Sequence, residues 1–121
     1  MAQRKNMKKL LSTIVEAMQN KKAKNISIVD MSALDSPCQY FVICQGNSNT
    51  QVMSIATEIK DFVRDNAKEK PFSADGYENC QWIAMDYGPV IVHVFQPETR
   101  SFYDIEHLWA DAKITNIPDI D

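Results

Sequence analysis

The residues best placed for chemistry are Cys44-Gln45-Gly46-Asn47-Ser48, which follow an apolar run and precede a helical pattern. A strand–Gly–x–Ser–helix element can aim backbone N–H groups and a helix N-terminus at a phosphate. Phosphoryl or nucleotidyl transfer would also need two or three carboxylates, commonly Asp-x-Asp, on the next strand to hold Mg²⁺. That strand offers only Asp86, at its end, beside Tyr87. A strand end followed by a helix N-cap explains the same turn without any ligand. His93 and His107 are too few for a typical zinc site, and Cys38, Cys44 and Cys80 lack metal-type spacing. No nucleophile-elbow sequence supports a Ser-His-Asp or Cys-His arrangement. The expectation is a non-enzyme with no catalytic residue, metal or cofactor.

A different kind of chemistry is concentrated in WIAMDYGPVIVHVFQPETRSFYDIEHLW, from Trp82 to Trp109, which is dense in aromatics and carries one basic residue, Arg100. Large rings bury much area at low entropic cost and favour interfaces. Rings and acids so close together read as a docking surface built on a strand pair. The competing reading is that each ring simply fills the core of a small domain. His93 sits mid-strand, as a core histidine bonded to Asp86 or Tyr87 or as a contact at the sheet face. Arg100, between Glu98 and Asp104, is expected to organise its corner through a carboxylate pair.

The charge distribution supports docking. Residues 1–24 hold seven Lys/Arg, including Arg4, Lys5, Lys8 and Lys9, against Glu16 alone, a balance of +6. Residues 75–121 hold nine Asp/Glu against Arg100 and Lys113, a balance of −7, and the middle comes to −2, which closes the net −3. An acidic half is repelled by nucleic acid and anionic membrane and suits a basic protein partner. The basic start could touch RNA, which keeps an RNA-binding adaptor as a rival reading.

The elements that must position these residues are legible from period and punctuation. A chain of 121 residues suits one domain, 1–121, with a core that needs no staples. Met7, Leu10, Leu11, Ile14, Val15 and Met18 share one helix face. Asn25–Asp30 alternates as a half-buried strand, and Asp35-Ser36-Pro37 is a turn. Tyr40–Cys44 and Val90–Phe95 are continuous apolar runs, expected as central strands covered on both faces. Between them lie a helix with a Val52, Ile55, Ala56, Ile59, Phe62, Val63 stripe, a turn at Asp75-Gly76, and a strand from Gln81 to Asp86. Pro97 opens a helical turn, and Asp104 is expected to N-cap a last helix through Ile105, Leu108 and Trp109. The order is α-β-β-α-β-β-α, an α/β fold with a mixed sheet flanked by helices. Residues 115–121 show no period and read as a loose tail. Cys44 reads as buried, with Cys38 and Cys80 partly exposed at strand ends. The Lys-rich start reads as part of the fold rather than a leader, no apolar run reaches the ~20 residues of a membrane span, and the protein is expected to be cytoplasmic.

Read in order, the pieces Tyr40-Phe41-Val42-Ile43, Gly46-Asn47-Ser48, Trp82, Asp86-Tyr87-Gly88, Val92-His93-Val94-Phe95, Arg100, Phe102-Tyr103, Glu106 and Leu108-Trp109 resemble the ribosomal silencing factor (Iojap-like) family. The likeness runs from about Ile26 to Ala112. Gln39 departs from it, where an acidic residue usually precedes the Tyr-Phe pair. The resemblance implies a fold related to nucleotidyltransferases without their catalytic carboxylates. It implies a protein that binds the large ribosomal subunit through ribosomal protein fourteen, sterically blocks joining of the small subunit and represses translation. It further implies a homodimer when free, and neither a membrane nor a sequence-specific nucleic-acid partner. The partner contacts it points to are Tyr87, His93, Phe95, Tyr103, Glu106, Leu108, Trp109 and Asp111, with Trp82, Asp86 and Arg100 supporting them. A residual nucleotide-binding enzyme is the other rival.

Overall fold

The computed structural model describes residues 6–120; Arg4 and Lys5 of the basic start, and Asp121, lie outside them. Helix α1 (Met7–Asn20) begins at Asn6, whose side-chain oxygen accepts the Lys9 N–H at 3.1 Å. Leu10, Ile14 and Met18 of the predicted face are buried, together with Ala17, while Met7, Leu11 and Val15 are partly buried. Helix α2 (Asn49–Ala67) starts at Ser48, whose Oγ accepts the Gln51 N–H at 3.1 Å, and buries Val52, Ile55, Ala56, Ile59 and Val63. The two helices pack together on one face of the sheet, so α1 is an integral part of the core.

Six strands form that sheet: β1 (Lys24–Asp30), β2 (Tyr40–Gln45), β3 (Ser73–Asp75), β4 (Trp82–Asp86), β5 (Val90–Phe95) and β6 (Lys113–Ile117). They lie in the order β3-β4-β5-β2-β1-β6. Only β2 and β5 pair in parallel, in the register Tyr40 to Val90 through Gln45 to Phe95. They are the two apolar runs, and they sit at the centre with both faces covered. Period 2 then sorts the side chains. Val42, Cys44, Ile83, Met85, Val92 and Val94 pack with the helices. Val29, Phe41, Ile43 and Phe95 join Met31, Cys38 and Ile105 in a second cluster on the opposite face.

Three expectations need correction. Residues 115–121 are not a loose tail throughout, because β6 pairs antiparallel with β1, Ile26 opposite Ile117 and Asp30 opposite Lys113. Ile114, Thr115 and Ile117 are β-branched residues suited to an edge strand, even where exposure hides any hydrophobic period. Asp104 does not N-cap a last helix. It sits in the left-handed region at φ 46° and closes α3 (Pro97–Tyr103), its N–H donating to the Arg100 carbonyl at 2.9 Å. Only a single 3-10 turn, Ile105–His107, follows. Cys38 and Cys80 are buried like Cys44, and all three are free thiols. Burial pushes the Cys44 thiol up to about 12 and leaves it inert. The short strand β3 had no sequence expectation, since three residues carry no period.

The turn before β4 depends on Gly76, at φ +102°, where a Cβ would stand 1.9 Å from the Trp82 carbonyl oxygen. Gly76→Ala is therefore expected to cost about 1–3 kcal/mol of stability through backbone strain. A urea midpoint unchanged from the parent would contradict this.

Candidate docking surface

Arg100 is the centre from which the site is built. It is 8% exposed and rises from α3 toward the ends of β1 and β2. Its Nε and Nη2 donate to Glu106 Oε1 and Oε2, both at 2.9 Å, a two-pronged pair. Nη1 donates to the Asn25 carbonyl at 2.6 Å and to Gln45 Oε1 at 3.2 Å. Nη2 also donates to Ser27 Oγ at 3.2 Å, and that hydroxyl donates onward to Asn116 Oδ1 at 2.8 Å on β6. The carbonyl of Asn25 is available because β1 is irregular there: the register with β2 shifts between Lys24 and Ser27, and Asn25 takes φ 52°. The expected carboxylate pair thus exists, with Glu106 as the partner rather than Glu98 or Asp104. It ties the segment after β5 to three strands.

Around this anchor the second sheet face carries a chain of rings. Trp82 stacks on Phe95 with centroids 4.9 Å apart and meets Tyr103 at the same separation. Phe102 lies edge-on to Tyr103 at 5.0 Å. His93 stands between Trp82 and Phe41, and Phe41 reaches Trp109 at 6.0 Å. The chain grades from interior to surface. Tyr103 is 52% exposed, Leu108 59% and Phe102 81%. Trp82 and Trp109 are half-buried at the margin. Asp104 and Asp111 are exposed, and Asp104 Oδ1 lies 2.6 Å from His107 Nδ1.

The contacts implied by the resemblance divide accordingly. Tyr103, Leu108 and Asp111 are exposed and Trp109 is half-buried; Tyr103 meets Trp82 and Trp109 meets Phe41. Glu106 is committed to Arg100. Tyr87 and Phe95 are fully enclosed, which removes them from the exposed surface. The reason is strand alternation: Tyr87 follows Ile83 and Met85 into the helix-side core, while Phe95 lies beneath Trp82. Asp86 holds the β4–β5 turn, its Oδ1 accepting the Gly88 N–H at 2.7 Å. Phe102 belongs to the surface although it was not among the expected contacts. Two successive aromatics on a seven-residue helix cannot both turn inward, and that was the available signal.

His93 is buried, and its partner is neither Asp86 nor Tyr87. Its Nδ1 accepts the Trp82 indole N–H at 3.0 Å, which puts the proton of the neutral ring on Nε2 and fixes the Trp82 ring. Burial holds its pKa down at about 3. The folded value lies below the unfolded one of about 6.5, so this group contributes stability above pH 6.5 and loses it as pH falls toward 3. Urea midpoints should therefore decline below pH 6.5, and His93→Gln should flatten the pH 5–6.5 portion of that decline. A midpoint independent of pH in that window, with His93 present, would refute the assignment.

The turn Gly46-Asn47-Ser48 uses two of its amides internally, the Gly46 N–H donating to the Phe95 carbonyl at 2.9 Å. Asn47 N–H donates to Gln51 Oε1 at 2.7 Å while Gln51 N–H donates to Ser48, a reciprocal capping arrangement. The described cations of the basic start also separate. Lys8 and Lys9 lie in the first turn of α1 and Lys21, Lys22 and Lys24 beyond its last, about 20 Å of helix between them. They form no continuous stripe. Among the described residues no helix is long and apolar enough to cross a membrane.

A family model described as "Ribosomal silencing factor during starvation" matches residues 4–121. The chain is 38% identical over 112 residues to ribosomal silencing factor RsfS of Bacillus subtilis, covering 93% of this chain and 94% of that protein. To the chloroplastic protein Iojap of Zea mays it is 28% identical over 106 residues, 88% of this chain and 46% of the longer plant protein. A crystal structure of a Chromobacterium violaceum protein superposes with a TM-score of 0.82 at 31% identity, covering 93% of both chains. One from Bacillus halodurans gives 0.74 at 32% identity, with 94% of this chain and 98% of that one covered. By its sequence from residue 4 onward and by its fold, this chain belongs to the ribosomal silencing factor family.

Proposed function

We propose that this chain binds the large ribosomal subunit through ribosomal protein fourteen, blocks joining of the small subunit by occupying that face, and so represses translation in the cytoplasm without catalysing a reaction. The observation that carries this reading is the exposed pair Phe102 and Tyr103 packed on Trp82, followed by exposed Leu108 in the same segment, which the Arg100–Glu106 pair holds. Exposed apolar side chains grouped on a small domain mark an interaction site. Rigid aromatics lose little freedom on binding and supply anchors. Asp104 and Asp111 add a negative edge that would steer a basic ribosomal protein into register. The relation to nucleotidyltransferases is, in this reading, one of scaffold: Asp86 serves a turn, the Gly46 N–H bonds the Phe95 carbonyl, and the Asn47 N–H and Ser48 Oγ serve a cap. The homodimer implied by the family resemblance belongs to the same proposal, and sedimentation equilibrium of the free chain tests it.

Surface-immobilised ribosomal protein fourteen, titrated with the chain, tests the partner. Saturable binding whose association rate falls as salt rises is expected. Absence of binding at low salt would remove protein fourteen as the partner.

A further inference from the structure

A second concavity lies on the other side of the sheet, between the last turns of α2 and the β3 edge. It has a volume of about 700 Å³, within the range of small-molecule sites. Lys60, Arg64 and Lys70 line it against one carboxylate, Asp61, while Pro71 and Tyr77 supply an apolar wall. This sign is unusual for a chain of net charge −3. All four Lys/Arg between residues 25 and 74 fall within 60–70, alongside Asp61, Asp65 and Glu69, and three of the four line this one recess.

Helix capping and local pairing use only part of that charge. Lys68 Nζ donates to the Asp65 carbonyl at 3.1 Å and offsets the negative end of α2. Arg64 donates through Nε to Asp65 at 3.0 Å and through Nη1 to Asp61 at 3.4 Å, which leaves Nη2 without a hydrogen bond among the described residues. Lys60, about two turns before the helix end, and Lys70, on the loop beyond it, make no ion pair or hydrogen bond among the described residues. Lys60, Lys70 and Arg64 thus line one recess with an apolar wall.

We infer that this cleft binds a small phosphorylated ligand with a planar apolar portion, by chemical class a nucleotide. Phosphate oxygens would take the Lys60, Lys70 and Arg64 donors, and the planar part would lie along Pro71 and Tyr77. Lys60, Arg64 and Lys70 all line one recess of about 700 Å³, a size that suits a compact ligand rather than a nucleic-acid strand. The site is separate from the aromatic surface and stands or falls independently of it.

Calorimetric titration of the full chain with ATP, inorganic phosphate and a single-stranded oligouridylate tests the inference. ATP should bind saturably and about tenfold more tightly than inorganic phosphate, and Lys60→Ala with Lys70→Ala should weaken it about tenfold through loss of charge-assisted bonds. Both lysines are exposed, so the urea midpoint should hold; Lys60→Glu, a reversal at one helix position, provides a second variant with the same expected loss. Phe102→Ala with Tyr103→Ala should leave ATP binding intact. No heat from ATP up to roughly 5 mM, where even weak sites fill, would overturn the inference. So would affinity unchanged in both lysine variants, inorganic phosphate binding as tightly as ATP, or oligouridylate binding where ATP does not.

Discussion

Arg100→Met is expected to lower the unfolding free energy by about 3–5 kcal/mol, the cost of breaking a buried ion pair from one side. The Arg100 and Glu106 side chains are only 10% and 15% exposed, so solvent cannot replace the lost partner. Methionine fills the volume but donates nothing. The Glu106 carboxylate, the Asn25 carbonyl, Gln45 Oε1 and Ser27 Oγ each lose the bond Arg100 gives them. Arg100→Lys should recover only part of the loss, because an ammonium cannot reproduce the two-pronged geometry. Glu106→Gln keeps an acceptor for the guanidinium and should cost less than Arg100→Met. Urea unfolding followed by far-UV circular dichroism measures all three. An Arg100→Met midpoint close to the parent would mean that the segment bearing Tyr103, Leu108 and Trp109 is held by something else.

The second large effect is on binding. Phe102→Ala combined with Tyr103→Ala should weaken attachment to the large subunit by about 2 kcal/mol or more, roughly 30-fold. Phe102 is 81% exposed and Tyr103 half-exposed, so the pair can be removed with little loss of core. The tilted contact of Tyr103 with Trp82 is sacrificed, and a modest stability change should accompany the loss of affinity. Trp109→Ala is a less clean test, because Trp109 also packs against Phe41 in the second core cluster. Affinity is measured by cosedimentation with purified large subunits. Parental affinity in the double variant, with fold intact, would move the interface elsewhere on the molecule.

Much of this arrangement is legible in the amino-acid sequence. The two continuous apolar runs named the central strands because only a strand covered on both faces tolerates Tyr40–Cys44 or Val90–Phe95. The α2 stripe and its Ser48 cap followed from period and residue type. Arg100 was expected to take a carboxylate, but its partner was not, since Glu98, Asp104 and Glu106 are all within reach in sequence. The choice of Glu106 depends on the left-handed turn at Asp104, a backbone fact that no spacing reveals. Tyr87 and Phe95 show the same limit from another side. An aromatic in a docking motif reads alike whether it forms the surface or supports it, and strand phase decides which. Strand β6 escaped notice because an exposed edge has no hydrophobic alternation to betray it.

The most direct measurement is sucrose-gradient sedimentation of purified small and large ribosomal subunits under joining conditions, with and without this chain. Repression by steric occupation predicts that the chain travels with the large subunit and that the joined peak falls as it is added, an effect the Phe102→Ala, Tyr103→Ala variant should lose. A chain that remains at the top of the gradient while subunits join undisturbed would contradict the proposed function.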